Sequence, residues 1–222
     1  MTGLLITMEG VDGCGKSTQI QSLAARLRLA GVPVAVSKEP GGTPLCQELR
    51  SLLLERHASG ETWAPRAELL LFYADRAQHV ARFIAPMLAQ GKVVLLDRFD
   101  DSTRAYQGAQ GIDDGTLDWL RADVLGGLAP ALTLVLDLDP AQSLARTGVR
   151  NAAAGDFRET RFDQETLDFH RRVRERFLDL ARREPARMVV IPADAPVAAV
   201  EAAVWAQVEP RLRGAGYPAA GA

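Results

Sequence analysis

Cysteine and lysine are both scarce in this chain of 222 residues. The two cysteines, Cys14 and Cys46, are too few for a disulfide framework and lack the paired spacing of a zinc site. This usage is typical of proteins in a reducing compartment, and we expect a cytoplasmic location. Lysine occurs only as Lys16, Lys38 and Lys92, because nearly all other cationic residues are arginines. A lysine inside a motif is therefore informative here.

The chain also lacks long apolar runs and an excess of positive charge. No stretch of about 18 uninterrupted apolar residues occurs, and the apolar start of the chain has no basic leader and is broken by Glu9. We expect neither a signal peptide nor a membrane span. The formal net charge of −2 provides no overall basic field for a polyanion. This argues against a nucleic-acid-binding module but allows a small phosphorylated ligand in a local basic pocket.

Short apolar strands alternate with helical patterns along the chain. The predicted strands are residues 3–9, 33–38, 92–97, 131–139 and 187–192. The predicted helices are residues 16–30, a segment around 45–53, and 65–90, 102–110, 114–125, 140–147, 162–183 and 196–213. This alternation predicts an α/β fold with a parallel sheet covered on both faces. No composition break occurs, so we predict one domain over residues 1–213 and a disordered tail over 214–222.

A glycine-rich loop between the first strand and the first helix fits the pattern G-x-x-x-x-G-K-[ST]. Such a loop directs successive backbone N–H groups, and the positive end of the following helix, at phosphate oxygens. Its lysine, Lys16, reaches the β- and γ-phosphates, and the hydroxyl of Ser17 can bind Mg²⁺. The predicted ATP-binding residues are Gly10, Val11, Asp12, Gly13, Cys14, Gly15, Lys16, Ser17 and Thr18.

The third strand ends in Asp97, a candidate outer-shell group for Mg²⁺, and Arg98 follows it. A hydrolytic ATPase usually has a second carboxylate there, whereas an arginine suits a second anion, which favours transfer to an acceptor. A hydroxyl acceptor needs a general base, whereas a phosphate monoester is already largely ionised near pH 7. None of the three histidines lies in a glycine-rich or charged motif, and we expect surface or helix roles for them. The lack of a candidate histidine base favours a monophosphate acceptor, although Asp12 could act as a base.

These motifs, and others along the chain from Leu4 to about Val208, resemble the thymidylate kinase family. The matching segments are GVDGCGKST, SKEPGGT, LLLFYADRAQH, LLDRF, DDSTRAYQG, PALTLVLDLDP and RFDQETLDFHRRVRERF. The resemblance implies a P-loop nucleoside-monophosphate-kinase fold with a five-stranded parallel sheet. It also implies a homodimer and transfer from ATP, with Mg²⁺, to dTMP. A kinase for another small acceptor and a non-catalytic nucleotide-binding switch are the alternatives.

The resemblance also implies roles for individual residues. Phe72 would lie under the thymine ring and Arg76 would reach its carbonyl edge, while Arg98 would bind the dTMP phosphate. Asp12 would meet the sugar 3′-hydroxyl or the metal, and Tyr106 would exclude a ribose 2′-hydroxyl. The full predicted substrate-binding set is Asp12, Pro40, Phe72, Arg76, Arg98, Ser102, Thr103 and Tyr106.

Several positions depart from the family pattern. Lys38 stands where an arginine is usual, Phe99 where a tyrosine or histidine is common, and Thr160 where an aspartate is usual. Gly13 occupies the position at which some members carry a catalytic arginine inside the P-loop. In the other subtype, arginines of a mobile lid serve instead.

We expect that lid at residues 146–161, a small and polar segment with little periodicity. Its candidate catalytic cations are Arg150 and Arg158, which the sequence does not rank, followed by Arg146 and Arg161. The complete predicted catalytic set is Lys16, Asp12, Arg98, Arg150 and Arg158.

Overall fold

A computed structural model describes residues 3–55, 57–154, 162 and 165–218, with the backbone alone described over 149–154. The strands are β1 (Leu4–Glu9), β2 (Val34–Lys38), β3 (Val93–Asp97), β4 (Leu132–Asp137) and β5 (Met188–Pro192). The helices are α1 (Lys16–Leu29), α2 (Pro44–Leu54), α3 (Pro65–His79), α4 (Ala85–Ala89), α5 (Asp100–Ala109), α6 (Asp114–Leu125), α7 (Pro140–Ala154), α8 (Leu167–Arg183) and α9 (Val197–Gly214). A π-helical segment, Val80–Ile84, joins α3 to α4.

The strands form one parallel sheet in the order β2-β3-β1-β4-β5, which confirms the predicted five-stranded α/β fold. Side chains of β1 alternate between the two faces: Ile6 and Met8 enter the larger core with α1, α8 and α9, whereas Leu5 joins the smaller core around Ile84 and Phe99. Strand order reverses at β1. Ligands bind at such switch points, beyond the carboxyl ends of the strands.

Two predicted helix boundaries need correction. Helix α7 continues through Ala154, so the first half of the predicted lid loop is helical; the run Asn151 to Ala154 is rich in alanine, the best helix former. Helix α8 starts at Leu167 rather than at residue 162, because Thr166 caps it by accepting a hydrogen bond from the Phe169 N–H at 3.2 Å. The second half of the lid lies outside the described residues, apart from Phe162 just beyond it.

The predicted helix over 65–90 is continuous, but its hydrogen bonding changes at Val80–Ile84. Pro86 lacks an N–H and would clash with a carbonyl one α-helical turn earlier, and the wider π turn accommodates it.

The predicted tail also begins too early. Tyr217 is buried, and its hydroxyl donates to the carbonyl oxygen of Gly91 at 3.0 Å. A phenol can be buried when its hydroxyl finds such a partner, and this contact attaches the chain beyond α9 to the sheet. The last four residues lie outside the described part of the chain.

Candidate active site

A cleft of about 630 Å³ opens at the carboxyl ends of β1, β2 and β3. Its size is that of an ordinary small-ligand site. One wall is the loop between β1 and α1, and the other is built from β2, α3 and α5. The predicted site residues that line it are Asp12, Gly13, Gly15, Lys16, Ser17, Thr18, Pro40, Phe72, Arg76, Asp97, Arg98, Ser102, Thr103 and Tyr106. The remaining predicted loop residues, Gly10, Val11 and Cys14, are buried behind it.

The loop wall is shaped for phosphate. Lys16 is only 7% exposed, and its ammonium group donates to the carbonyl oxygens of Gly10 and Val11 at 3.1 and 2.9 Å. Gly13 has a φ of 80°, and a Cβ placed there would lie 2.7 Å from the carbonyl oxygen of Ser143. Helix α7 therefore packs directly against the loop at this glycine. Ser143 also donates from its hydroxyl to the Asp12 carbonyl oxygen.

Ser17, in the first turn of α1, and Asp97, the last residue of β3, meet beside the loop. The Ser17 hydroxyl donates to the Asp97 carboxylate at 2.8 Å. A hydroxyl and a carboxylate supply hard oxygen atoms, which suit Mg²⁺, and this ion is usually completed by substrate phosphates and water. The pair thus fits the metal role predicted for it.

Arg98 lies at the centre of the cleft. Its guanidinium donates to Asp12 Oδ1 at 2.8 Å, to Ser102 Oγ at 2.9 Å and to the Gly10 carbonyl oxygen at 3.0 Å. Burial raises the pKa of Asp12, but the charges of Arg98 and Lys16 outweigh burial and hold that pKa well below its usual range. A carboxylate with such a low pKa is a poor general base near pH 7. The arrangement weakens the possibility that Asp12 is a base and favours an acceptor that is already ionised.

Arg76 makes more hydrogen bonds to other protein groups than its predicted substrate-binding role requires. It is 1% exposed; its Nε donates to Glu39 at 2.9 Å and its Nη2 to the Phe99 carbonyl at 3.1 Å and to Thr103 Oγ1 at 3.0 Å. A longer contact of 3.5 Å joins Nη1 to Asp100. These contacts use four of the five guanidinium N–H groups. Arg76 thus joins three segments of the wall that faces the loop, namely α3, the residue after β2 and the start of α5.

The aromatic residues close the side of the cleft. Tyr106 Oη accepts from Arg98 and donates to Asp12, both at 3.3 Å, and its ring packs edge-on against Phe162 at 5.4 Å. Phe72 is half-buried and lies 6.4 Å from Phe162, measured between ring centroids. Phe72 and Arg76 both line the cleft, as their spacing of four on one helix predicts.

Sequence reasoning missed other cleft residues. Arg50 lines the cleft and donates to the Pro40 carbonyl oxygen at 2.9 Å. The sequence did contain an indication of this: Arg50 lies on the same face of α2 as the buried Cys46 and Leu53, and a charged residue is unusual on a buried helix face. Further lining residues outside the predicted binding and catalytic sets are Lys38, Glu39, Leu54, Asp75, Phe99, Gln107, Arg146 and Phe162.

The residues that depart from the family pattern lie in different environments. Lys38 is exposed at the cleft, and Phe99 is fully buried as part of the smaller core. Arg150 lies on α7, four residues after the cleft residue Arg146. Thr160, Arg158 and Arg161 lie outside the described residues.

Glu9, the last residue of β1, is fully buried behind the cleft. Burial, and then the charge of Asp101, raise its pKa from 4.5 to about 8. A carboxyl group with a raised folded-state pKa binds protons more tightly when folded, so its contribution to stability is present at low pH and is lost as pH rises toward 8.

We therefore expect the free energy of unfolding to fall between pH 5 and pH 8, by on the order of 1 kcal/mol per pH unit from this group alone. Glu9→Gln cannot ionise and should have a flatter profile, so its stability relative to wild type rises with pH. Urea unfolding at pH 5.5, 7.0 and 8.5 tests this. Parallel profiles for the two proteins would contradict the assignment.

This fold and site define a P-loop nucleotide-binding enzyme with arginines on the cleft wall opposite the P-loop. The thymidylate kinase family model matches residues 8–204. Thymidylate kinase from Caulobacter vibrioides is 49% identical over 211 residues, covering 95% of this chain and 98% of the relative. That from Solidesulfovibrio magneticus is 50% identical over 207 residues, covering 92% and 98%. The crystal structure of thymidylate kinase from Ehrlichia chaffeensis matches with a TM-score of 0.73 at 33% identity, covering 94% of this chain and 99% of that one.

The chain belongs to the thymidylate kinase family, and the family expected from its motifs is confirmed. The comparisons give no support to a kinase for a different acceptor or to a non-catalytic switch. In the described part of the chain, no helix is both long and apolar enough to cross a membrane.

Proposed function

We propose that this enzyme transfers the γ-phosphoryl group of ATP to the phosphate of dTMP, giving dTDP and ADP. The observation that carries the proposal is that one cleft holds both the P-loop, with Lys16, and the arginine pair Arg76 and Arg98. ATP would lie on the P-loop side with its γ-phosphoryl group directed at the acceptor. The dTMP phosphate, already ionised near pH 7, would attack without the help of a protein base.

Each residue then has a physical task. Lys16 and the loop N–H groups neutralise phosphate charge, and Arg98 binds the acceptor phosphate with its planar fork. The remaining Arg76 N–H reaches the thymine edge, and Phe72 covers the ring. Tyr106, fixed by Asp12 and Arg98, occupies the space beside the sugar. Pro40, Ser102 and Thr103 complete the acceptor wall.

Ser17 and Asp97 would hold Mg²⁺, the first as a ligand and the second from the outer shell. Mg²⁺ would supply charge neutralisation across the ATP phosphates. The 2.8 Å hydrogen bond between the two side chains keeps the hydroxyl oxygen beside the loop, where those phosphates would bind.

An acceptor panel tests the reaction. ADP release from ATP should depend on dTMP and fall by about tenfold with dUMP, because one buried methyl group separates the two bases and such a difference is worth about 1–3 kcal/mol. Thymidine, dCMP and the ribonucleotide should be poorer acceptors than dUMP. Equal ADP release without any acceptor would contradict a kinase.

Arg98→Ala should weaken dTMP binding much more than thymidine binding, since only dTMP carries the phosphate. A charge-assisted contact of this kind is worth about 1.5–3 kcal/mol, or about 10- to 150-fold in Kd. Calorimetry with both ligands measures it. Thymidine serves as the internal control, and an equal loss for both ligands would show that Arg98 is structural.

We also propose a homodimer in the cytoplasm. Large apolar side chains are exposed on α2, α3, α6 and the segment before α3, and α3 packs against both other helices. They are Leu45, Leu52, Trp63, Leu70 and Trp119. Such a surface is typical of a protein interface. Sedimentation equilibrium should therefore give twice the chain mass of 24.0 kDa.

The free cysteines Cys14 and Cys46 fit a reducing compartment, and cell fractionation tests this location.

A further inference from the structure

Arg98 has a strained backbone conformation. Its φ of 69° makes it the one residue other than glycine with a positive φ in the described part of the chain. The left-handed region costs a side-chain-bearing residue roughly 1–2 kcal/mol, so the surrounding structure must hold it there. The Arg98 N–H donates to the Met8 carbonyl at 3.0 Å, which fixes the residue on its amino side.

The Glu9 carboxyl group fixes the other side. Its Oε1 accepts from the Phe99 N–H at 2.7 Å, directly after Arg98. Phe99 is the N-cap residue of α5, and N–H groups at a helix start have no partner within the helix. Glu9 supplies that partner across 90 residues of sequence. The backbone on both sides of Arg98 is thus held by neighbouring residues of β1.

The same carboxyl group also acts on the Arg98 side chain. Ser102 donates its hydroxyl hydrogen to Glu9 Oε2 at 2.5 Å. A hydroxyl has one hydrogen, so Ser102 presents only lone pairs to the cleft side, and one of them accepts from Arg98 Nη1 at 2.9 Å. Glu9 itself is 0% exposed and does not line the cleft.

We propose that Glu9 is a positioning residue of the acceptor site, which sets both the backbone and the guanidinium of Arg98 for the acceptor phosphate. The inference rests on the phosphate-binding role proposed for Arg98. A buried carboxyl group is a costly way to end a strand, since an apolar side chain would fill the space without desolvation. Both of its oxygen atoms contact the turn that carries Arg98, which accounts for a carboxyl group here.

Calorimetry of dTMP and thymidine binding to Glu9→Asp and Glu9→Gln tests the proposal. Aspartate is one methylene shorter and cannot reach both Phe99 and Ser102. Its dTMP Kd should rise by about tenfold or more, as small misplacements in a site can cause, while its thymidine Kd stays within about twofold. Glutamine keeps the length: its amide oxygen can still accept from the Phe99 N–H, and its amide nitrogen can donate to Ser102 Oγ, which reverses that hydrogen bond. Ser102 then still has a lone pair for Arg98, so Glu9→Gln should restore dTMP binding to within about threefold of wild type.

Asp101→Asn is the matched control. Asp101 is a buried carboxylate in the first turn of α5, beside Ser102, but it does not line the cleft and pairs with Arg187 at 2.7 Å. This variant should lower the melting temperature and leave the ratio of the dTMP and thymidine Kd values unchanged.

An unchanged Kd ratio in Glu9→Asp, or an equal loss of both ligands, overturns the positioning role whatever happens to stability. Should Glu9→Asp not fold, Ser102→Ala breaks the same chain of hydrogen bonds and must show the phosphate-selective loss. Arg98→Ala separates the two proposals. If it weakens both ligands alike, the phosphate-binding role of Arg98 fails; if its loss is phosphate-selective and that of Glu9→Asp is not, only the positioning role fails.

Discussion

Replacing Lys16 with alanine should lower kcat by about 10³ or more, with dTMP affinity close to that of wild type. Lys16 is the buried cation of the P-loop, and its two carbonyl contacts keep the ammonium group at the phosphate wall of the cleft. Removing one preorganised donor from a transferring group costs about 10²–10³ in rate, and this donor also carries a full charge. The acceptor wall is built from other elements, so dTMP binding should survive.

Lys92→Ala is the control, because Lys92 is one of only three lysines in the chain and does not line the cleft. Lys92 precedes β3 at the opposite end of the sheet, with its ammonium group 3.5 Å from Met87 Sδ. Single-turnover ADP formation and dTMP calorimetry on both variants measure the effect. If Lys16→Ala loses dTMP affinity as much as rate, the assignment of the donor and acceptor sides of the cleft is wrong.

We propose that a lid arginine, Arg150 or Arg158, is catalytic, and replacing it should lower kcat by about 10³, as loss of an arginine finger can. Transfer spreads charge over the γ-phosphoryl oxygens, and a loop with glycine at position 13 supplies Lys16 and backbone N–H groups but no arginine. Helix α7 starts against that glycine and carries Arg146 into the cleft, which favours a cation supplied from its continuation.

The test compares both single variants with the double variant, in kcat and in dTMP Kd. One single variant should account for nearly all of the loss, and dTMP Kd should not change. Arg171→Ala is a matched control, since Arg171 is exposed on α8 and pairs with Asp168. A near-normal kcat in both single variants and the double variant would contradict the proposal, and Arg146 and Arg161 would then be the next candidates.

The sequence by itself determined the fold class and located the loop that forms one wall of the cleft. A P-loop is contiguous, so its glycines, Lys16 and Ser17 are read from adjacent positions. The strands are apolar on both faces, and their alternation with helices leaves a parallel sheet as the solution. Phe72 and Arg76 share a face because of helix geometry alone, and both line the cleft as predicted.

Only the tertiary structure decided which polar groups hold the acceptor side. Glu9 contacts Phe99, and Arg76 contacts Glu39, across 90 and 37 residues of sequence, and no local pattern encodes these pairings. Burial and neighbouring charge likewise give Asp12 and Glu9 opposite pKa shifts although they lie three residues apart. The burial of Tyr217 was mispredicted for the same reason. A weakly patterned segment takes its structure from what it packs against, and the fold alone supplies that partner.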